Sequence, residues 1–142
     1  MKKTSFTMAV MILLLIVAST AEAAVPKLVG TWTGKGKAVS LDYGYYNLTY
    51  TVSIVGQSGN LFRGSIKTVT PQGTVNQKFT GYIKADNSIY ANYRASGGQM
   101  MTEALIFGEY IPATATQPKP KLEGHWVSLG TQATGTFSLV KK

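Results

Sequence analysis

The sequence predicts an all-β protein: a single antiparallel eight-stranded up-and-down β-barrel that follows an N-terminal signal peptide. Three observations support this prediction. Nothing after the N-terminal segment shows helical periodicity. Short alternating runs rich in Thr, Val, Ile and Tyr are separated by Gly, Asn and Pro turns, at about the spacing of a β-meander. Glycine also recurs between two large apolar residues of one strand face, which suits a sharply bent sheet.

Residues 1–23 have the pattern of a secretory signal peptide. Two lysines form the basic n-region, an apolar stretch over 6–18 follows, and Ala21-Glu22-Ala23 provides a small-x-small cleavage pattern. The apolar stretch is too short to favour a spanning helix, so an uncleaved anchor is the weaker alternative. We therefore expect cleavage before Ala24, export to the periplasm or the extracellular space, and one domain over residues 24–142.

Turn residues divide the rest of the chain into its elements. Asp86-Asn87 is expected to form a tight hairpin turn, because both residue types tolerate left-handed backbone angles. Three prolines in 112–120 remove ladder donors, so that segment is predicted to be a surface connection. Pairing of the last strand with the first would remove both sheet edges. The predicted strands are 30–41, 48–56, 61–70, 74–85, 88–95, 100–111, 121–129 and 133–141.

A repeated heptapeptide, Pro-Lys-Leu-x-Gly-x-Trp, occurs at 26–32 and 120–126 and contains both tryptophans. The same arrangement of a glycine between apolar residues occurs at 62–66 and 79–83. We expect the glycines to permit the bend. We also expect Trp32 and Trp126 to meet at one barrel end and seal it, since inward aromatics in small barrels usually fill space.

Composition excludes several classes of function. The chain carries a net charge of +8 but no cysteine and one histidine. Thiol catalysis, disulfides and cysteine-bound zinc are therefore excluded, and the short supply of titratable groups predicts no enzyme, no catalytic or metal site and no cofactor. The basic excess favours solubility or an anionic partner such as a membrane surface. Nucleic acid is not expected, because the lysines are scattered and no RNA-binding motif is present.

Gly30-Thr31-Trp32 resembles the first strand of the calycin superfamily, which comprises lipocalins, fatty-acid-binding proteins and avidins. In lipocalins this tryptophan plugs the closed end of the barrel. The resemblance implies a barrel with a small-molecule site. The chain lacks the lipocalin Thr-Asp-Tyr motif, C-terminal helix and cysteine pair, and it has Gly34 and Ala38 where avidins place Asn and Ser. Biotin is therefore disfavoured as the ligand.

Small residues continue along the face of Trp32, from Gly34 to Ser40. This lane either forms one wall of a cavity opposite Tyr50 and Tyr93, or is filled by neighbouring large side chains. Both alternatives are open at this stage.

The first loop is predicted to span 42–47, and tyrosines there offer large rigid contact area for sugars or other partners. In the sixth strand a bulge near Phe107-Gly108 would explain a mixed pattern. An inward Glu103 would be a ligand-site candidate, although an outward orientation is favoured. The predicted ligand-binding residues are Ser40, Tyr43, Tyr45, Tyr46, Tyr50, Tyr93 and Glu103.

These features predict an exported soluble barrel that binds a small apolar molecule or a glycan at its mouth. The alternative is a structural or interaction protein of the cell envelope, inhibitor-like or adhesin-like, with a solid barrel. An outer-membrane barrel is less favoured, because the lysines would crowd a narrow lumen and the chain ends in Val140-Lys141-Lys142.

Overall fold

A computed structural model describes residues 24–94 and 103–142. The predicted fold class is confirmed: the strands form a closed antiparallel barrel in sequence order. The signal-peptide prediction lies outside the described residues. The strands are β1 (Gly30–Ser40), β2 (Gly44–Ser58), β3 (Leu61–Thr70), β4 (Gly73–Ile83), β5 (Ser88–Arg94), β6 (Glu103–Ile111), β7 (Lys121–Ser128) and β8 (Ala133–Lys141).

Pairing between the first and last strands closes the barrel. β1 pairs with β8 from Trp32 opposite Lys141 to Ser40 opposite Ala133. Every strand is then paired on both sides, which satisfies backbone groups that an open edge would leave exposed. Among the described residues there is no helix long and apolar enough to cross a membrane.

The turns mostly follow the sequence prediction. Asn87 has a φ of 70°, which confirms the tight hairpin after β4. The proline-rich segment over 112–120 is outside the strands, as expected. The predicted bulge near Phe107-Gly108 is wrong, because β6 keeps one register against both neighbours. The register shift lies instead in β2, between Ile54 and Gly56.

The prediction of a long first loop over 42–47 is also wrong. β2 begins at Gly44, whose φ of 64° ends a three-residue turn that starts at Leu41. Tyr45 and Tyr46 are therefore strand residues with opposite orientations, the first 88 % exposed and the second half-buried. Aromatic residues fit the pleated surface well, which explains why the strand continues through them.

The inward glycines stand opposite aromatic rings of the adjacent strand. Phe62 pairs with Gly81, and Phe79 pairs with Gly64. A Cβ on Gly64 would lie 2.9 Å from the Phe79 ring, so no larger residue fits without displacing it. The glycines therefore make room for the core rings as well as permitting the bend. The same relation holds for Gly124 with Phe137 and for Gly135 with Trp126.

One end of the barrel, called here the closed end, is sealed by the segment that precedes β1. Leu28 and Trp32 are fully buried there, and Trp32 Nε1 donates a hydrogen bond of 2.9 Å to the Leu28 carbonyl. Gln57 ties the segment down: its Oε1 accepts from Leu28 N and its Nε2 donates to the Pro26 carbonyl, each at 2.8 Å. The Tyr110 ring packs edge-on against Trp32 at 6.4 Å. This end therefore has a well-packed plug.

The expectation that both tryptophans seal this end is wrong for Trp126. β1 begins at Gly30, the fifth residue of the first heptapeptide, whereas β7 begins at Lys121, the second residue of the second heptapeptide. Trp32 consequently stands opposite Lys141 on β8, whereas Trp126 stands opposite Gly135, which also pairs with Ala38. Tilted strands of a closed barrel are staggered, so equal motif positions need not lie at equal heights.

Replacement of Trp32 by Ala tests the plug. The change removes a fully buried ring and its hydrogen bond to the Leu28 carbonyl. We expect the free energy of unfolding to fall by about 3–5 kcal/mol, measured by urea denaturation. The control is Tyr43→Ala, because Tyr43 is 64 % exposed; it should change stability by less than about 0.5 kcal/mol. Equal effects of the two changes would contradict the plug.

Candidate ligand cavity

A cavity of about 210 Å³ lies inside the barrel. An engineered protein cavity of about 150 Å³ accepts benzene, so this volume is enough for a molecule with one ring and a small substituent. Its lining comes from β2 to β8 and from Thr131, while β1 contributes no residue. The apolar lining residues are Leu48, Val52, Ile54, Phe62, Ile66, Val75, Phe79, Ile89, Ala91, Ile106, Leu122, Phe137 and Leu139.

β1 is absent from the lining because its lane of small residues is filled. A Cβ on Gly36 would lie 2.9 Å from the Tyr50 ring. The Gly34 and Gly36 backbones also approach β8 so closely that a Cβ would overlap the carbonyls of Ser138 and Thr136. Of the two alternatives that the sequence left open, the structure has the filled lane.

Tyr50 and Trp126 form the wall that replaces the lane. The Trp126 Nε1 donates a hydrogen bond of 2.8 Å to the Tyr50 hydroxyl, which donates at 3.3 Å to the Thr136 carbonyl. Burial raises the pKa of the Tyr50 hydroxyl, and the hydrogen bond from Trp126 opposes that shift. The hydroxyl is therefore a fixed, neutral part of the wall.

The cavity opens away from the plug, at the end called here the open end, where β1 meets β2 and β7 meets β8. Thr131 and Val75 line the cavity there and are exposed, and Tyr46 and Thr70 are half-buried. By contrast, Ile83 at the closed end is fully buried. Among the described lining residues, the solvent-exposed ones thus lie at the open end.

Polar side chains are concentrated just inside the open end. Gln77 is 8 % exposed and lies on the inward face of β4, between Val75 and Phe79. Burial raises the pKa of the Tyr93 hydroxyl, the Gln77 side chain opposes the shift, and the nearby Tyr46 adds to it. We call Tyr46, Gln77 and Tyr93 the polar cluster. The further polar lining residues are Thr68, Thr70, Ser128 and Thr131.

The structure brings together three of the seven predicted site residues. Tyr46, Tyr50 and Tyr93 all line the cavity. Ser40 does not line it: its Oγ accepts a hydrogen bond of 3.1 Å from Tyr43 N and stabilises the β1–β2 turn. The remaining residues, exposed to solvent and outside the cavity lining, are Tyr43, Tyr45 and Glu103.

Gln77 and Trp126 line the cavity but were not predicted as site residues. Alternation along β4 was the signal for Gln77, because it shares a face with the inward Phe79. The repeat predicts Trp126 at the closed end because it has the same motif position as Trp32. That comparison neglects the displacement of β7 relative to β1 along the barrel axis. Alternation along a strand therefore predicts whether a side chain faces inward or outward. Its height along the barrel axis is known only from the register between strands.

A shallow groove of about 370 Å³ lies on the outer surface, separate from the cavity. One side carries an aromatic row, with Tyr90 and Phe107 edge-to-face at 6.0 Å and Phe107 stacked on His125 at 5.5 Å. The other side carries Glu109 and Glu123, which pair across β6 and β7. Tyrosine combines an apolar ring with a polar hydroxyl and is enriched at protein interfaces.

No known protein-family model matches this chain, and a comparison with curated proteins finds no similar sequence. The closed up-and-down barrel is compatible with a calycin-like fold. The functional conclusion therefore depends on the geometry of the cavity.

Stability at alkaline pH tests the burial of the two tyrosines. The pKa values of Tyr50 and Tyr93 are raised above the ordinary value of 10.0, so the folded protein retains protons that the unfolded chain releases. The free energy of unfolding should be constant with respect to these groups below about pH 9. It should fall as pH rises through 10, by up to about 1.4 kcal/mol per pH unit for each tyrosine.

Denaturation at a series of pH values measures this slope. Tyr93→Phe should reduce the slope, whereas Tyr45→Phe, on the exposed face, should leave it unchanged. A slope that is the same in all three proteins would contradict the assignment.

Proposed function

We propose that the protein is an exported, soluble β-barrel that binds one small, predominantly apolar molecule inside the barrel. The observation that carries the proposal is the cavity of about 210 Å³, with an apolar lining and access from one end. Preformed apolar pockets with a few polar groups are the usual form of small-molecule sites. A solid barrel, which the interaction hypothesis requires, would have no such space.

The apolar lining of the deepest part of the cavity favours an apolar ligand over a glycan. Ile54, Phe62, Ile89, Leu122 and Leu139 surround the part of the cavity nearest the plug. Moving apolar surface from water into such a space is favourable by roughly 25 cal/mol per Å². A sugar would leave its hydroxyls without hydrogen bonds there, and each buried unpaired hydroxyl costs about 1–3 kcal/mol.

The distribution of charge favours a soluble barrel over a membrane one. Lys35 and Lys37 on β1, Lys67 on β3 and Lys78 on β4 are all exposed on the outer face. A transmembrane barrel has an apolar outer band, where a central lysine costs about 2–4 kcal/mol. Here the lysines lie on the outer face together with some exposed apolar side chains, such as Leu61, Tyr82 and Leu105, whereas the core apolar side chains face inward.

Export follows from the N-terminal pattern, and the mature N-terminus tests it. We expect protein produced in a bacterial host to begin at Ala24 and to be recovered from the periplasm or medium without detergent, as determined by N-terminal sequencing and fractionation. Ala21→Arg combined with Ala23→Arg should block cleavage, because the site requires small residues. Detergent-dependent recovery of the cleaved protein would instead favour the membrane barrel.

The second candidate is an interaction protein, and the outer groove favours it. The groove offers the stacked Phe107 and His125 beside Glu109 and Glu123. A partner there would contact the outer surface and leave the cavity unchanged. The two candidates are therefore distinguished by which region responds to a ligand.

Tryptophan fluorescence tests cavity binding, because only one of the two tryptophans lines the cavity. Toluene is the probe. In Trp32→Phe, which retains Trp126, we expect the emission to change on binding. In Trp126→Phe, which retains the plug residue Trp32, we expect no change.

A smaller cavity provides the matched test. Ala91 lines the cavity, so Ala91→Leu should weaken toluene binding at least about tenfold, equivalent to about 1.4 kcal/mol. The control is Ala115→Leu in the exposed connection between β6 and β7, which should have no effect. If saturating toluene leaves the emission of Trp126 unchanged, cavity binding is wrong and the interaction function is favoured.

A further inference from the structure

The lining of the cavity is divided into an apolar floor and a polar upper zone. We propose that the ligand is an uncharged amphipathic molecule with about one ring; this inference rests on the proposed binding in the cavity. Its apolar part occupies the floor, and a hydroxyl, carbonyl or carboxamide group lies in the polar cluster of Tyr46, Gln77 and Tyr93. This specifies the ligand class more narrowly than apolarity alone.

Gln77 is the central observation. Its side chain is more than nine-tenths buried and faces the cavity. Apart from its contact with Tyr93, it forms no hydrogen bond with another residue in the described part of the chain. A glutamine amide has two N–H donors and an acceptor oxygen, so most of its capacity is free. No buried side-chain nitrogen or oxygen lacks a partner among the described residues, so the free positions of the Gln77 amide are accessible from the cavity, where a ligand or water can complete its hydrogen bonds.

The two tyrosines extend the same recognition site. Tyr93 stands opposite Phe79, two residues along β4 from Gln77, and Tyr46 is close enough to influence its hydroxyl. The Gln77 side chain acts as a hydrogen-bond partner of the Tyr93 hydroxyl. Hydroxyls both donate and accept, so the cluster is complementary to a neutral polar group.

The absence of charge in the lining determines the charge of the ligand. No Lys, Arg, Asp, Glu or His is among the described lining residues, although the chain carries a net charge of +8. An ion held there would lose its hydration without gaining a counter-charge, at a cost of several kcal/mol. Carboxylates and ammonium groups are therefore disfavoured, while a neutral hydroxyl or amide is accommodated.

A series of probes on one ring separates these contributions. Toluene, benzyl alcohol, benzoate and benzylammonium are titrated at pH 7 into the protein, with binding measured by calorimetry and by Trp126 emission. We expect toluene and benzyl alcohol to bind and the two ions to bind at least about tenfold more weakly. Ions that bind as tightly as benzyl alcohol would overturn the proposal.

The variant Gln77→Leu tests the polar contact. The ratio of the two probes' Kd values is compared between the variant and the wild-type protein, so that the solvation of each free probe cancels. The ratio of the toluene Kd to the benzyl alcohol Kd should fall about fivefold or more, because the amide hydrogen bonds are lost. Tyr93→Phe should lower the ratio in the same direction. The control Tyr90→Phe, on the outward face of β5, should leave it unchanged.

The outcomes distinguish the two proposals. If toluene binds but Gln77→Leu and Tyr93→Phe leave the ratio unchanged, the polar recognition is overturned and the proposed cavity function stands. If no probe binds the folded wild-type protein, as checked by circular dichroism, the proposed function is overturned and this inference with it. Gln77→Leu should remain folded, since it replaces a buried polar group by an apolar one of similar size.

Discussion

The barrel depends on glycines that stand against aromatic rings and neighbouring backbones. On β1, the Gly34 and Gly36 backbones lie so close to β8 that a Cβ would overlap its carbonyls. On the opposite side of the barrel, Phe62 covers Gly81 and Phe79 covers Gly64. A small barrel of eight strands has little interior volume, so ring-sized side chains fit only where the facing residue has none. The glycines therefore determine both closure and the positions of the rings.

The asymmetry of the interior follows from this constraint. Tyr50 fills the space over Gly36, and its hydroxyl is joined to the indole of Trp126. These two rings occupy the β1 side, so the remaining space lies against β2 to β8. At the closed end Trp32 and Leu28 are fully buried in the interior. The cavity is what remains between this plug and the open end.

The separation between a neutral interior and a basic exterior assigns different roles to the two surfaces. Exposed lysines lie on the outer surface, whereas the described cavity lining has no charge. Gln77, Tyr46 and Tyr93 lie close to the open end, where a ligand bound as proposed would meet them. Selectivity would then come from hydrogen bonding and size, and affinity from the apolar floor.

The sequence alone determined the fold class, because alternation, turn residues and recurrent glycines are local signals that every strand repeats. It also identified the inward tyrosines Tyr50 and Tyr93, because parity along a strand is a local property. Of the other predicted site residues, Ser40 stabilises a turn, and Tyr43, Tyr45 and Glu103 lie outside the cavity lining.

Only the tertiary structure decided the height of each side chain in the barrel. Two heptapeptides of the same Pro-Lys-Leu-x-Gly-x-Trp pattern place Trp32 in the plug and Trp126 in the cavity wall, because the register between tilted strands depends on pairing across the whole sheet. The same pairing decided that the lane on β1 is filled and that Gln77 faces the cavity beside Tyr93. Local patterns specify which face a residue occupies; closure of the barrel specifies which residues meet there.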